Sequence, residues 1–181
     1  MAEWNFGNYL ATVQERDIDL LLMEEFHVSP VFVTWFSTQV GLNDVAFAGA
    51  WHSVSDIDGE TDLLLLLAHS GKRLAVLIEN KVGAAEQPDQ DARYHLRAVR
   101  YIEDGKFDEY RTCICAPEIY LAALPDTSRY ECRVSYEKIL KWYSSHADSR
   151  SAWRSHIMSE AIEQGRRGYT MIVDQTTTKF H

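Results

Sequence analysis

Three carboxylates and a lysine mark the ends of two apolar runs. In residues 59 to 81, GETDLLLLLAHSGKRLAVLIENK, Glu60 and Asp62 open the first run, and Glu79 and Lys81 close the second. The polar link AHSGK carries Gly71 and suits a β-hairpin loop. A turn at the Ser70–Gly71 step sets Asp62 opposite Glu79, and Glu60 opposite Lys81. Side chains alternate along a strand, so all four then share one face. Directly opposed Cβ atoms lie about 5 Å apart. Carboxylates at that spacing beside an apolar core repel each other and lose hydration. A divalent cation between them removes the conflict, and oxygen ligands of this kind suit Mg²⁺ or Mn²⁺. Lys81 at the same spot can orient a water or stabilise developing negative charge. The chemistry that results is metal-assisted attack on a phosphodiester. It depends on the register, because a slip of one residue sends one strand's charges to the other face. The plainer alternative is a set of solvated strand ends, with Glu60 and Lys81 as a cross-strand ion pair.

The surrounding pattern supplies elements to hold such a site. QERDIDLLLMEEFH (residues 14–27) reads as a helix with Ile18, Leu21, Leu22 and Glu25 on one stripe. Ser29-Pro30 starts a second helix that stops at Gly41. DVAFAGAWHSV, TDLLLLL and RLAVLIENK read as three successive strands. A helix follows from near Pro88 to Gly105, then a fourth strand, YRTCICAP. A short strand and a helix capped by Ser135 come next, then an amphipathic helix over SAWRSHIMSEAIEQG. The tail YTMIVDQTTTKFH matches no element. The order predicts an α/β (α+β) fold, a three-layer sandwich with a mixed sheet of four to five strands between helices. Leu63 to Leu67, apolar on both faces, belong at its centre.

The chain has 181 residues and a formal net charge of −9. The length fits a single domain over 1–181, and the unclosed tail fits the N-terminal part of a longer protein. No window of about 18 apolar residues suggests a membrane span, and the N-terminus lacks a signal-peptide pattern. Cys113, Cys115 and Cys132 are an odd set without a disulfide framework, which predicts a reducing, cytoplasmic setting. Cys113 and Cys115 share a strand face and read as small buried core residues. The acidic balance argues against non-specific coating of nucleic acid. It does not exclude a metal enzyme, because a cation site needs acidic ligands. Arg93, Arg97 and Arg100 fall on one side of the helix after the third strand. They form either a phosphate-contacting edge or a solvated face paired with Asp89 and Asp91.

Asp62, the apolar run and the closing Glu79-Asn80-Lys81 resemble the PD-(D/E)XK nuclease superfamily, and the element order is similar to its αβββαβ core. The likeness covers most of the chain. Thr61 stands where the motif's name has proline. The resemblance implies a restriction-endonuclease-like domain that hydrolyses phosphodiester bonds of nucleic acid, with DNA as the expected substrate. It implies phage defence or DNA processing as the setting, and a homodimer or partner subunit as a source of further binding surface. By it, Asp62 and Glu79 are metal ligands, the Asn80 backbone carbonyl adds a third, and Lys81 is the catalytic lysine. The leading helix in such proteins often adds an acid: Glu25 on the inward stripe is expected, with Glu24 and Glu15 as alternatives. Gln90 and Tyr94, one turn apart, are expected to line the site, with Gln87 a further candidate. The alternative function is an inactive domain of the same fold, kept for binding nucleic acid or protein.

Overall fold

The two residues of the β-hairpin turn set the geometry of the centre. In a computed structural model, which describes residues 9–57, 59–83 and 89–177, Ser70 and Gly71 both have positive φ, 51° and 77°. That pair of angles is the tight turn whose twist matches two antiparallel strands. It joins β2 (Gly59–His69) to β3 (Lys72–Asn80) in the expected register, with pairs running from His69–Lys72 to Leu63–Ile78. β1 (Val45–Asp56) flanks β2 antiparallel, while β4 (Glu109–Ala116) and β5 (Cys132–Ser135) continue from β3 in parallel. The sheet order is β1-β2-β3-β4-β5.

Helices cover both faces. Leu63, Leu65, Leu67, Val76, Ile78 and Cys113 face one cluster. It also takes side chains of α1 (Glu15–Val28), α2 (Pro30–Gln39), α5 (Tyr136–Ser144) and α6 (Ser149–Thr177). On the other face Leu64, Ala75, Leu77 and Ile114 meet Tyr94, Ala98 and Tyr101 of α3 (Gln90–Glu103), with α4 (Glu118–Ala123) beside them. The central strands are therefore dry on both sides, which explains their unbroken apolar runs. Cys113 and Cys115 are buried core residues as expected. The Ser135 hydroxyl caps α5 by accepting from the Lys138 N–H. Two features differ from the sequence reading. α4 has no counterpart in it, being a single short turn after Pro117. And α6 runs on through 177 into the tail that showed no pattern. Pro88 and Gln87 lie outside the described residues.

Glu25 holds two helices together instead of serving a metal. Its carboxylate is 1% exposed and pairs with the buried Arg154 of α6, and with Arg150 at 3.4 Å. The stripe that turns Glu25 inward is real, but at that height on α1 the inside is α6. Glu24, further out, meets the other side of Arg154 at 2.9 Å.

Arg154→Met strands the Glu25 carboxylate in the core with only half-exposed Arg150 to meet it. Urea denaturation should show a loss of about 3 kcal/mol, the low end for one member of a buried pair. Combining it with Glu25→Leu should restore most of that loss. An equally large loss in the double variant would mean that packing, not charge, explains it.

Candidate active site

The strands β2 and β3 end at the carboxylates. The described pairs stop at Leu63–Ile78, one step before Asp62 and Glu79. There the Asn80 N–H donates to Asp62 Oδ2 at 3.2 Å. Asp62 and Glu79 fall on the α3 face, following the alternation of Leu64 and Leu77. Their carboxyl groups lie within hydrogen-bonding reach of each other. Glu79 is only 1% exposed, and three groups hold it. The Gln90 amide donates to Oε1 at 2.5 Å, the Tyr94 hydroxyl donates to Oε2, and Lys81 Nζ lies 2.5 Å from Oε1. The Tyr94 oxygen also accepts from the Asp62 N–H at 3.3 Å, so one phenol ties both strands to α3.

The Glu60–Lys81 pairing does not form, because β2 and β3 stop pairing at Leu63–Ile78. Beyond that point the Lys81 N–H bonds to the Cys115 carbonyl and continues the parallel β3–β4 ladder. Glu60 is exposed and takes the Ser53 hydroxyl, from a β1 residue with φ of 59°. Lys81 is 6% exposed, and its second partner is Glu15 of α1 at 3.6 Å. The Val82 N–H donates to Glu15 Oε1 at 3.3 Å. α6 seats against this segment because Gly165 has no side chain: a Cβ there would meet the Val82 carbonyl at 2.4 Å. Glu15, Val82, Gly83 and Gln164 line a cleft of about 550 Å³ at this edge.

The residue that sequence reading missed is Asp19. It is 3% exposed, accepts from the Asn80 amide at 2.6 Å and stands 3.6 Å from His52 Nε2. The Tyr136 hydroxyl donates to the other end of that amide at 3.2 Å, so the Asn80 side chain is locked between α1 and α5. Asp19 lies one turn from Glu15, and that spacing on the leading helix was the available signal. The acids that α1 brings to the strand ends are thus Glu15 and Asp19, not Glu25.

Arg97 also departs from expectation. It is 1% exposed, with its guanidinium 4.5 Å above the Tyr94 ring, and a Cβ on Gly59 would come within 3.0 Å of it. It is a cation buried behind Tyr94 and not part of an exposed phosphate-contacting edge. Arg93 and Arg100 of the same helix are half-buried.

Charge is out of balance at this point. Burial pushes the Asp62 carboxyl up to about 8, with the Glu79 and Asp19 carboxylates adding to it. Burial likewise lifts Asp19 to about 7 and raises Glu15. Burial works to lower Lys81, but Glu79, Glu15 and Asp62 outweigh it and hold the ammonium above its ordinary value. Four acids thus face one lysine. A family model described as PD-(D/E)XK nuclease superfamily matches residues 52–170. The chain belongs to the PD-(D/E)XK nuclease superfamily. No curated protein and no solved structure matches it. The five-stranded mixed sheet between helices is the restriction-endonuclease-like fold. PD-(D/E)XK nucleases generally use divalent metals, and the donor set here fits one: oxygen donors from several acids, three of them raised by burial. Among the described residues no three His, Cys, Asp or Glu side chains form a metal cage. Mg²⁺ ordinarily takes one or two carboxylates and keeps several waters, so two carboxylates suffice. No helix among the described residues is long and apolar enough to cross a membrane.

The raised carboxyls carry a sign. Asp62 and Asp19 hold more protons folded than unfolded between pH about 4 and about 8. The stability this confers is complete below about pH 4 and is lost as pH rises through the folded values. Thermal melts of the metal-free protein should therefore show stability falling across that window. Asp62→Asn should flatten the fall. Mg²⁺ or Mn²⁺ should raise the melting temperature of the wild type at pH 8 by mass action and release protons as it binds. An Asp62→Asn protein that responds to metal as the wild type does would place the ion elsewhere.

Proposed function

We propose that this protein is a Mg²⁺- or Mn²⁺-dependent nuclease that hydrolyses phosphodiester bonds, with DNA as its substrate and phage defence or DNA processing as its setting. The observation that supports the activity is the meeting of Asp62 and Glu79 at the ends of adjacent strands, with the Lys81 ammonium 2.5 Å from Glu79. Asp62 and Glu79 would hold the cation, together with the Asn80 backbone carbonyl, and Glu15 and Asp19 face the same end from α1. When bound, such an ion polarises the phosphate and makes its water a nucleophile at neutral pH.

The chain's own groups do the rest. Gln90 and Tyr94 hold both oxygens of Glu79 so that the carboxylate cannot rotate away from its partner. Asn80 anchors the end of β3 to α1 and α5 through its amide. Lys81 stays protonated at neutral pH because of the acids around it, so it does not act as the base. Its role is to meet the negative charge that grows on the phosphate, or to orient the attacking water as a donor. Burial strengthens that interaction, since water screens it less.

Plasmid, single-stranded DNA and RNA should be offered to the wild type with Mg²⁺ and with Mn²⁺. Lys81→Ala should cut about 10²–10³-fold more slowly while calorimetric metal affinity stays near that of the wild type, because lysine is not a ligand. Lys81→Arg should rescue poorly, as the planar guanidinium is larger. Asp62→Ala should lose both cleavage and metal binding. A wild type that binds nucleic acid but cuts none of the three with either metal would make this a binding module.

A further inference from the structure

β1 and β2 leave an apolar groove on the same sheet face as the carboxylates. Leu64 and Leu66 form its floor, Trp51 and Val54 one wall, and Tyr101 and Phe107 the other. Its volume is about 310 Å³, at the small end of the ~300–1,000 Å³ typical of small-molecule sites. That holds a planar heterocycle but not a helix. Trp51 is 48% exposed, and the benzo end of its indole lies over Gly49. A Cβ at residue 49 would come within 2.4 Å of Cη2. The missing side chain at 49 is what lets the ring lie along the strand, with the rest of it open to the groove. At the groove's end the Lys106 ammonium sits 4.2 Å from the centre of the Tyr101 ring.

The groove runs on from the active site. Leu64 is two residues from Asp62 on the same face of β2, about 7 Å along the strand. Tyr94 of α3 touches Glu79, and Tyr101 is two turns further on the same helix, about 10 Å away. A strand whose phosphate lies at the carboxylates therefore passes the groove within a few nucleotides. An aromatic wall, an apolar floor and a cation at the rim are what a base and its backbone call for.

We propose that this groove binds an unpaired nucleobase of the substrate, stacked on Trp51, so that the protein prefers single-stranded or locally opened nucleic acid. The proposal rests on the nuclease reading and names its substrate. A base within a duplex is paired and stacked on its neighbours, and reaches the groove only when it is turned out.

Binding is measured by fluorescence anisotropy in chelator, so that no strand is cut, with labelled single-stranded DNA, single-stranded RNA and duplex DNA. Wild type should bind the single strands more tightly than the duplex. Trp51→Ala should weaken single-strand binding about tenfold, the size of one base–aromatic stack, and leave duplex binding unchanged. Trp51→Phe should keep part of the affinity. Gly49→Ala, which retains the indole but displaces it, should behave like Trp51→Ala. 2-Aminopurine in the single strand should be quenched by the wild type and not by Trp51→Ala. Circular dichroism confirms that each variant is folded. Single-strand binding that is equal in wild type and both variants overturns the proposal and leaves the nuclease reading standing. So does light scattering that shows a wild-type dimer broken by Trp51→Ala, which makes the groove an interface between copies. No binding of any nucleic acid by the wild type overturns both.

Discussion

Two carboxyl groups within hydrogen-bonding reach, one almost fully buried, are the constraint around which this structure is arranged. Left alone they would drive the ends of β2 and β3 apart. Each of their neighbours works against that. Tyr94 ties the Glu79 carboxylate to the Asp62 backbone N–H, Gln90 and Lys81 take oxygens of Glu79, and the Asn80 N–H takes an oxygen of Asp62. Burial holds the Asp62 and Asp19 carboxyls well above their ordinary values, which reduces the repulsion further. A buried polar cluster is stable only when every member has a partner, and here the partners come from β2, β3, α1 and α3 at once.

This explains why the helices sit where they do. α3 crosses the face of the sheet with Gln90 and Tyr94 at the strand ends and Tyr101 against the apolar middle. α1 lies on the opposite face, yet its first two turns reach around the strand ends with Glu15 and Asp19. The far end of α1 cannot take part. Glu25 lies ten residues beyond Glu15, about 15 Å along the axis, and its neighbours there are the arginines of α6. α6 in turn closes on the segment after Lys81 through Gly165. A single helix therefore has two acidic ends with different duties, one facing the site and one clamping the fold.

The charge pattern of the whole chain and of the site are separate matters. A net charge of −9 opposes a polyanion at long range. Salt screens that field over about 10 Å, whereas the site acts over contact distances, where the Lys81 ammonium stands among the acids. An acidic protein that meets nucleic acid must do so through few, local and partly apolar contacts. The exposed indole beside an otherwise covered sheet face is a contact of that kind.

What the amino-acid sequence determined by itself is local in origin. Ser70-Gly71 permits one tight turn, that turn sets one register, and the register carries Asp62 to Glu79 without any knowledge of the rest. Strand and helix order, and so the sheet between helices, followed from apolar periodicity and caps such as Ser135. What only the tertiary structure decided depends on which surface meets which. Glu25 and Asp19 both lie on the inward side of α1, and no periodicity tells which of them faces a strand end and which faces Arg154. Arg97 belongs to a basic run that looks solvated, but the ring of Tyr94 and the bare backbone at Gly59 make room for it inside. Lys81 follows β4 past the point where β2 and β3 part, because the parallel strand, distant in sequence, still offers the Cys115 carbonyl. α6 extended through a tail of no visible pattern. These choices are made by long-range packing, where hydrogen bonds and ion pairs form between segments that share no local signal, so only the folded chain could show them.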